Sequence, residues 1–242
     1  MKKFELTGEF ITNFIGKKLF RIRALIEFGD VKAGEFGGYI ESERNLSQNG
    51  DAWVYGNARV CGDARVCGNA KVSGDARVSG NAKVYGDAWV YGDAWVYGNA
   101  WVYGDAWVYG DAWVYGNARV CGDAWVYGDA WVYGDAWVYG NARVCGDARV
   151  CGDARVCGNA RVCGDADYAM VKGFGRCNRN TTFFRCNDGK IRVVCGCFFG
   201  DMEEFRAIVK RTHGGGKLEK EYLAIADLME LHFAKEESNG QR

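Results

Sequence analysis

The side chains best suited to acid–base or metal chemistry are few, and they lie near the C-terminal end of the chain. Histidine, the usual base near neutral pH, occurs at His213 and His232, and residues 1–212 contain none. Candidate zinc ligands are Cys177, Cys186, Cys195 and Cys197, with His213 as a spare. Their spacing, C-x8-C-x8-C-x-C, lacks a C-x2-C pair, so buried thiols are favoured over a metal, although Cys195 and Cys197 would face the same side of one strand. We therefore predict no metal and no cofactor.

A second group of candidate residues is aromatic and cationic. All nine tryptophans occupy the third position of a six-residue repeat, each followed two residues later by tyrosine, and Arg or Lys fills the other ten copies of that position. Tryptophan, tyrosine and arginine dominate binding hot spots. The candidates for ligand or partner binding are therefore Trp89, Trp95, Trp101, Trp107, Trp113, Trp125, Trp131, Trp137 and Arg119.

The repeat itself covers almost half of the chain. From Asp51 to Gly164, 19 consecutive hexads follow the pattern (D/N)-A-x-V-x-G, preceded by a looser hexad, Asn45–Gly50. On an extended segment the alanine and valine share one face, and the third and fifth residues share the other. Glycine followed by Asp or Asn makes a corner, since these residues tolerate a left-handed backbone. The pattern predicts a coil of stacked parallel strands with alanine and valine inside and the variable positions outside.

The residues alone leave the number of hexads per turn open. Asn81, Asn99 and Asn117 lie 18 residues apart, as three hexads per turn would require, but other asparagines lie 12 apart. The cysteines distinguish the two windings, because only stacked pairs can form a disulfide. An 18-residue turn stacks Cys145 on Cys163, whereas a 12-residue turn aligns Cys145 with Cys157 and Cys151 with Cys163.

The hexads resemble those of the hexapeptide-repeat family, which forms left-handed parallel β-helices and includes bacterial acyltransferases and γ-class carbonic anhydrases. The resemblance covers residues 45–166 and implies an all-β solenoid with three hexads per coil, and so about six coils. It also implies a homo-oligomer, with a trimer favoured. The family's enzymes use histidine as a base or as a zinc ligand, and this repeat contains none. That departure argues against acyl transfer, for which a carboxylate base would be the remaining route.

With three hexads per coil, the tryptophans form vertical columns on three faces. The columns are Trp89, Trp107 and Trp125; Trp95, Trp113 and Trp131; and Trp101 and Trp137 with Arg119 between them. So large an exposed aromatic surface is expected to be covered by copies of the chain or by a partner. Alternatively, the hexads arose by duplication and the stacked rings only stabilise the sheet. Both interpretations stay open.

The segments that flank the repeat are expected to close its ends. Residues 1–44 form an N-terminal cap, in which Leu19–Phe28 alternates as a strand does and Gly29–Ile40 is rich in turns. Its Arg21–Ala24, Gly29–Gly34 and Gly37–Glu41 motifs are similar to those of β-helical proteins of bacteriophages and prophages, whose activity is not established.

Residues 167–242 form a small α+β module, a hairpin followed by two helices. Its hairpin pairs Thr181–Cys186 with Lys190–Phe199 around an Asn-Asp-Gly turn. The first helix begins at the capping box of Asp201 and Glu204, and the second covers roughly Lys217–Glu237.

The amino-acid composition limits the classes of partner and the location that we expect for the protein. Thirty-one basic residues balance 31 acidic ones, which argues against nucleic acid as a partner. No run of about 18 apolar residues predicts a membrane span, and 11 cysteines without an apolar leader favour reduced thiols in the cytoplasm. We expect a non-catalytic, self-associating scaffold of phage or prophage type. The alternatives are a protein that sequesters a nucleotide-type or other small ligand on its outward Trp, Tyr and Arg ladders, and a divergent acyltransferase. A host protein is a further candidate partner.

Overall fold

The computed structural model describes residues 2–175 and 179–234, in which a three-sided parallel β-solenoid carries a cap at each end. Three strands precede the repeat: β1 (Phe4–Thr12), β2 (Lys18–Ala24) and β3 (Phe36–Ile40). Each hexad then adds a short strand at its third and fourth positions. These strands are β4 Trp53–Val54, β5 Arg59–Val60, β6 Arg65–Val66, β7 Lys71–Val72, β8 Arg77–Val78, β9 Lys83–Val84, β10 Trp89–Val90, β11 Trp95–Val96, β12 Trp101–Tyr103, β13 Trp107–Val108, β14 Trp113–Val114, β15 Arg119–Cys121, β16 Trp125–Val126, β17 Trp131–Val132, β18 Trp137–Val138, β19 Arg143–Val144, β20 Arg149–Val150, β21 Arg155–Val156 and β22 Arg161–Val162.

The register of the strands confirms 18 residues per turn. Each repeat strand pairs in parallel with the strand three hexads later, as Trp89 does with Trp107. Cys145 and Cys163 therefore lie in adjacent turns, with their Cα atoms 4.4 Å apart, and they are joined by a disulfide. This pair is the one that the 18-residue winding predicts, although the composition favours reduced thiols. The 12-residue winding is excluded.

The solenoid has about seven turns, one more than the hexad count predicts. One face holds seven repeat strands, and β3 and Leu46 each add a rung to the two faces that hold six. Leu46 bridges to Val66, two residues out of step with the repeat register. The looser hexad Asn45–Gly50 therefore enters the coil through a short 3-10 turn, Glu43–Asn45, and not as a full repeat.

The interior of the coil is built as predicted. Every alanine and valine of the 19 hexads is fully buried, because the two positions share the inner face of an extended segment. The corners depend on glycine: Gly98 has φ +71°, and a Cβ there would lie 3.0 Å from the amide nitrogen of Gly116. At a corner such as this one, backbone passes so close to backbone that no side chain fits.

The N-terminal cap has two more strands than the sequence predicts, β1 and, within the segment expected to be rich in turns, β3. β1 and β2 form an antiparallel hairpin, and β2 pairs with β3, which continues into a solenoid face through Ile40 and Val60. Strand β2 ends at Ala24, before the predicted end at Phe28. The pattern of β1 has no clean alternation of buried and exposed residues, which is why it was not predicted.

The C-terminal module is a four-stranded antiparallel sheet with two helices. Its strands are β23 (Tyr168–Phe174), β24 (Arg179–Arg185), β25 (Ile191–Cys195) and β26 (Phe198–Asp201), and its helices are α1 (Met202–His213) and α2 (Lys217–Phe233). The predicted hairpin is present as β24 and β25, and the capping box of Asp201 and Glu204 begins α1. The segment Lys190–Phe199 is not one strand, because the chain turns at Gly196 and Cys197.

Candidate functional site: aromatic columns on three faces

The repeat register arranges the outward third-position side chains in one column per face. Face 1 carries, in order along the solenoid, Arg59, Arg77, Trp95, Trp113, Trp131 and Arg149. Face 2 carries Trp53, Lys71, Trp89, Trp107, Trp125, Arg143 and Arg161. Face 3 carries Arg65, Lys83, Trp101, Arg119, Trp137 and Arg155. The structure thus brings the eight candidate tryptophans and Arg119 into the predicted columns.

The indole rings within a column are stacked on one another. On face 1, Trp113 stacks on Trp95 with ring centroids 5.0 Å apart and on Trp131 with centroids 5.2 Å apart. On face 2, Trp107 stacks on Trp89 at 5.4 Å and on Trp125 at 5.3 Å. Parallel, in-register strands impose this spacing, because identical side chains repeat at every rung about 4.8 Å apart.

A tyrosine column runs beside each tryptophan column, two residues further along each strand. Tyr109 stacks on Tyr91 with centroids 4.9 Å apart and meets Trp125 edge-on at 6.3 Å. A hydrogen bond with Cys121 raises the pKa of Tyr103 to about 12, and burial raises that of Tyr139 to about 12. Tyr103 and Tyr139 are therefore neutral at pH 7, and the columns offer hydroxyl groups along each face.

Cationic side chains cover the ends of the tryptophan columns. The guanidinium of Arg77 lies 4.5 Å from the ring centroid of Trp95, and that of Arg149 lies 5.2 Å from Trp131. Lys71 and Arg143 do the same on face 2. On face 3, Arg119 lies 5.1 Å from Trp101 and 4.7 Å from Trp137, between the two rings. Sequence reasoning missed these cation–π contacts, although the 18-residue spacing of basic and aromatic residues signals them.

The stacking decides what these columns can bind. Within a column each indole is covered on both faces by a neighbouring ring or by a cation, so a planar ligand cannot insert without separating the paired strands. The rings are half-buried, and even Trp89 is only 37% exposed. Each face therefore presents ring edges, tyrosine hydroxyls and cationic collars, a surface suited to contact with protein.

One tryptophan departs from the prediction that all third positions point outward into solvent. Trp53, at the first rung, is fully buried because the N-terminal cap covers it. The ring of Phe28 meets it edge-on at 5.3 Å, and the ring of Phe4 does so at 6.2 Å.

The candidate zinc ligands do not assemble into a site among the described residues. Cys177 lies outside the described residues. Cys186 is buried, Cys195 accepts a hydrogen bond from Thr181, and Cys197 is exposed in a turn. Cys195 and Cys197 therefore do not share one face of a strand as predicted. They line a small cavity with His213, but within residues 2–175 and 179–234 no three potential ligands lie close enough to hold a metal.

Comparison with known proteins supports the repeat assignment. The family model described as "YdcK Beta solenoid repeat" matches the chain in seven segments, 52–68, 64–80, 76–92, 94–110, 112–128, 118–134 and 136–152. All seven fall inside the parallel coil. The chain is a β-solenoid repeat protein. No curated protein sequence matches it, and no helix in the described part of the solenoid protein is long and apolar enough to cross a membrane.

Proposed function

We propose that this solenoid protein is a non-catalytic scaffold that assembles with copies of itself through its aromatic faces, with a trimer as the favoured state. The observation that carries the proposal is the mutual stacking of the rings, which leaves edges and hydroxyls in place of open ring faces. A second copy of the chain offers matching edges, hydroxyls and cations on its own faces.

The dimensions of one face favour an assembly in which each chain makes contact through more than one of its faces. Seven rungs at about 4.8 Å and five extended residues at about 3.4 Å give a plan area of about 570 Å². A stable interface buries about 800 Å² per partner. In a closed ring of three, each chain uses two faces and so buries about 1,100 Å² in total, twice what a single face provides.

Arg119 supplies a natural template for the test. It occupies a third position between two tryptophans, so replacing a column tryptophan by arginine reproduces a local structure that the solenoid already contains. We expect Trp107→Arg on face 2 and Trp113→Arg on face 1 to keep the melting profile and to weaken assembly at least tenfold. Light scattering at micromolar concentrations measures the assembly.

The matched control adds a tryptophan to a column, whereas the test variants remove one. Arg119→Trp completes the column of face 3 and should strengthen assembly or leave it unchanged. A monomeric wild-type chain at micromolar concentration would overturn the proposal. Unchanged assembly in both arginine variants and in Trp101→Arg on face 3 would also overturn it, because these three changes interrupt every aromatic face.

Two finer points belong to the same proposal. The phage or prophage relationship is supported by the N-terminal motifs Arg21–Ala24, Gly29–Gly34 and Gly37–Glu41.

A cytoplasmic location is supported by eight free cysteines among the described residues. Thiol labelling in intact cells tests the location: extensive oxidation of these eight would contradict a reducing compartment.

A further inference from the structure

The N-terminal cap does more than close the solenoid, since its hairpin also encloses a groove on face 1. The tip that joins β1 to β2 overhangs the face and leaves a groove of about 480 Å³. One wall is apolar and comes from the hairpin, where Leu19 is buried and Phe14 is 89% exposed. The floor comes from the first rungs of the solenoid. A volume of this size is typical of small-molecule sites.

Two arginines in the floor have no anionic partner in the part of the chain that the structure describes. Arg59 and Arg77 occupy paired positions on adjacent rungs, and among the described residues neither forms an ion pair. The Nε atom of Arg59 is buried and has no hydrogen-bond partner within residues 2–175 and 179–234. Nearby acidic groups are engaged elsewhere, Glu9 by Arg21 and Glu41 by Lys17.

On face 2, the positive charge of the corresponding third-position side chain is neutralised by a carboxylate. There Lys71, the cation that covers the first stacked tryptophan, has its Nζ atom 2.8 Å from Asp30. The groove on face 1 lacks such a carboxylate on its paired cations. Two like charges one rung apart repel each other, and a bound anion removes the repulsion while supplying hydrogen-bond acceptors. Burial raises the pKa of the Cys61 thiol, so this neighbour adds no negative charge at pH 7.

The groove also contains an aromatic ring with one open face. Tyr97 stacks on Tyr115 with centroids 4.9 Å apart, but its partner on the preceding rung is Ser79, which the pairing of Val96 with Val78 places beside it. Serine is too small to cover a ring. The tyrosine column therefore ends inside the groove with a free stacking surface, next to the two guanidinium groups.

We propose that this groove binds a planar, anionic small molecule of about the size of a nucleoside monophosphate. Its ring stacks on Tyr97 above Ser79, and its anionic group bridges Arg59 and Arg77. This site is separate from the self-association proposed above, because it uses the N-terminal hairpin and the end of one column. Trp95 and Trp113 of the same face also line the groove, but the proposed contacts to the ligand are made by Tyr97, Arg59 and Arg77.

Adenosine monophosphate is the probe. The two control ligands are adenosine, which lacks the anionic group, and inorganic phosphate, which lacks the ring. Calorimetry on the full chain should show submillimolar binding of the monophosphate at low salt and at least tenfold weaker binding of either fragment. Affinity should fall as salt rises, because arginine–phosphate contacts are screened. Absence of monophosphate binding, or equal binding of all three probes, overturns the proposal.

Ser79→Tyr is the sharpest variant, since it extends the tyrosine column by one rung, a stacking arrangement that the solenoid already uses. It should keep the fold, fill the floor of the groove and abolish binding with both arginines intact. The double variant Arg59→Gln/Arg77→Gln should weaken binding at least tenfold. Arg149→Gln, at the far end of the same column, is the matched control and should bind as the wild type does. Wild-type affinity in folded Ser79→Tyr would overturn the site, whatever the assembly measurements show.

Discussion

Lys3 is a buried charged residue that closes the N-terminal end of the solenoid. Its side chain is 2% exposed, and its Nζ atom donates hydrogen bonds to the carbonyl oxygens of Gly50 and Ala52 at 3.1 and 2.8 Å. The alanine and valine carbonyls of a turn accept hydrogen bonds from N–H groups of the preceding turn, as Ala70 does from Trp53. The first turn is therefore left with free carbonyls, and Lys3 supplies donors that no preceding turn provides.

The titration of Lys3 yields a prediction for stability. Burial lowers the pKa of Lys3 from 10.5 to about 8. Between these pH values the unfolded chain keeps a proton that the folded chain has lost, so folding gains stability from this residue as the pH rises. We expect urea unfolding to show wild type gaining about 2–3 kcal/mol over Lys3→Met between pH 8 and 10.5.

A neighbouring lysine provides the control for this measurement. Lys2 is exposed and pairs with Glu43, so Lys2→Met should have the same pH profile as the wild type. A constant difference between wild type and Lys3→Met across this range would show that Lys3 is not buried in its charged form.

The tyrosine columns are the element in which pH acts most broadly. The pKa values of Tyr103 and Tyr139 are each raised to about 12, whereas an unfolded tyrosine titrates near its ordinary value of about 10. Between these pH values the unfolded chain binds fewer protons than the fold. The stability of the solenoid should therefore fall as the pH rises from about 10 to 12.

Ultraviolet titration of the phenolate band tests this prediction. The native protein should titrate at higher pH than the protein in urea. The ring of Tyr103 stacks on that of Tyr85, with ring centroids 5.0 Å apart. Tyr103→Phe keeps this stacked ring and removes one hydroxyl, so the fall in stability between about pH 10 and 12 should become smaller. Native tyrosines that all titrate near pH 10 would show that the columns are open to water.

At the scale of the whole molecule, the two ends of the solenoid differ in polarity. The N-terminal end presents carbonyls, which are met by donors such as the Asn45 amide and the Lys3 ammonium. The C-terminal end presents N–H groups, which are met by acceptors. Asp165 accepts from Arg149, Asp167 from Cys163 and Thr182 from Arg155. Each cap therefore has the hydrogen-bonding groups that its own end requires.

This polarity predicts which truncations form fibres. Residues 51–164 alone expose carbonyls at one end and N–H groups at the other, so copies can stack head to tail into an open filament. Residues 2–164 keep the N-terminal cap, so only the C-terminal end is open and head-to-tail stacking finds no complementary open end. Electron microscopy should show fibres for the first chain and none for the second. Fibres of equal length from both chains would contradict this account of the caps.

The repeat was the most predictable part of the molecule. A period of six with alanine and valine two residues apart predicts both the coil and its interior, and these predictions are confirmed. The positions of the tryptophan columns followed once the turn length was 18. Their role as a binding surface stays a prediction, because stacking alone does not identify a partner.

The capped ends were less predictable, because non-repeating contacts decide them. The burial of Trp53 depends on Phe4 and Phe28, which are far from it in the sequence. The turn at Cys197 overturned the predicted face shared by two cysteines, since an alternating pattern does not show where one strand ends and the next begins. Arg59 has the same local hexad as its neighbours, and only the overhanging hairpin makes it part of a groove.

The sequence by itself determined the solenoid, because in a short repeat the same positions of every hexad point into the coil and the same positions point out of it. Only the tertiary structure decided which rings are covered, which cations lie over them and which arginines lack a partner. Those properties depend on what lies one turn away or beneath a cap, and identical hexads meet different neighbours there.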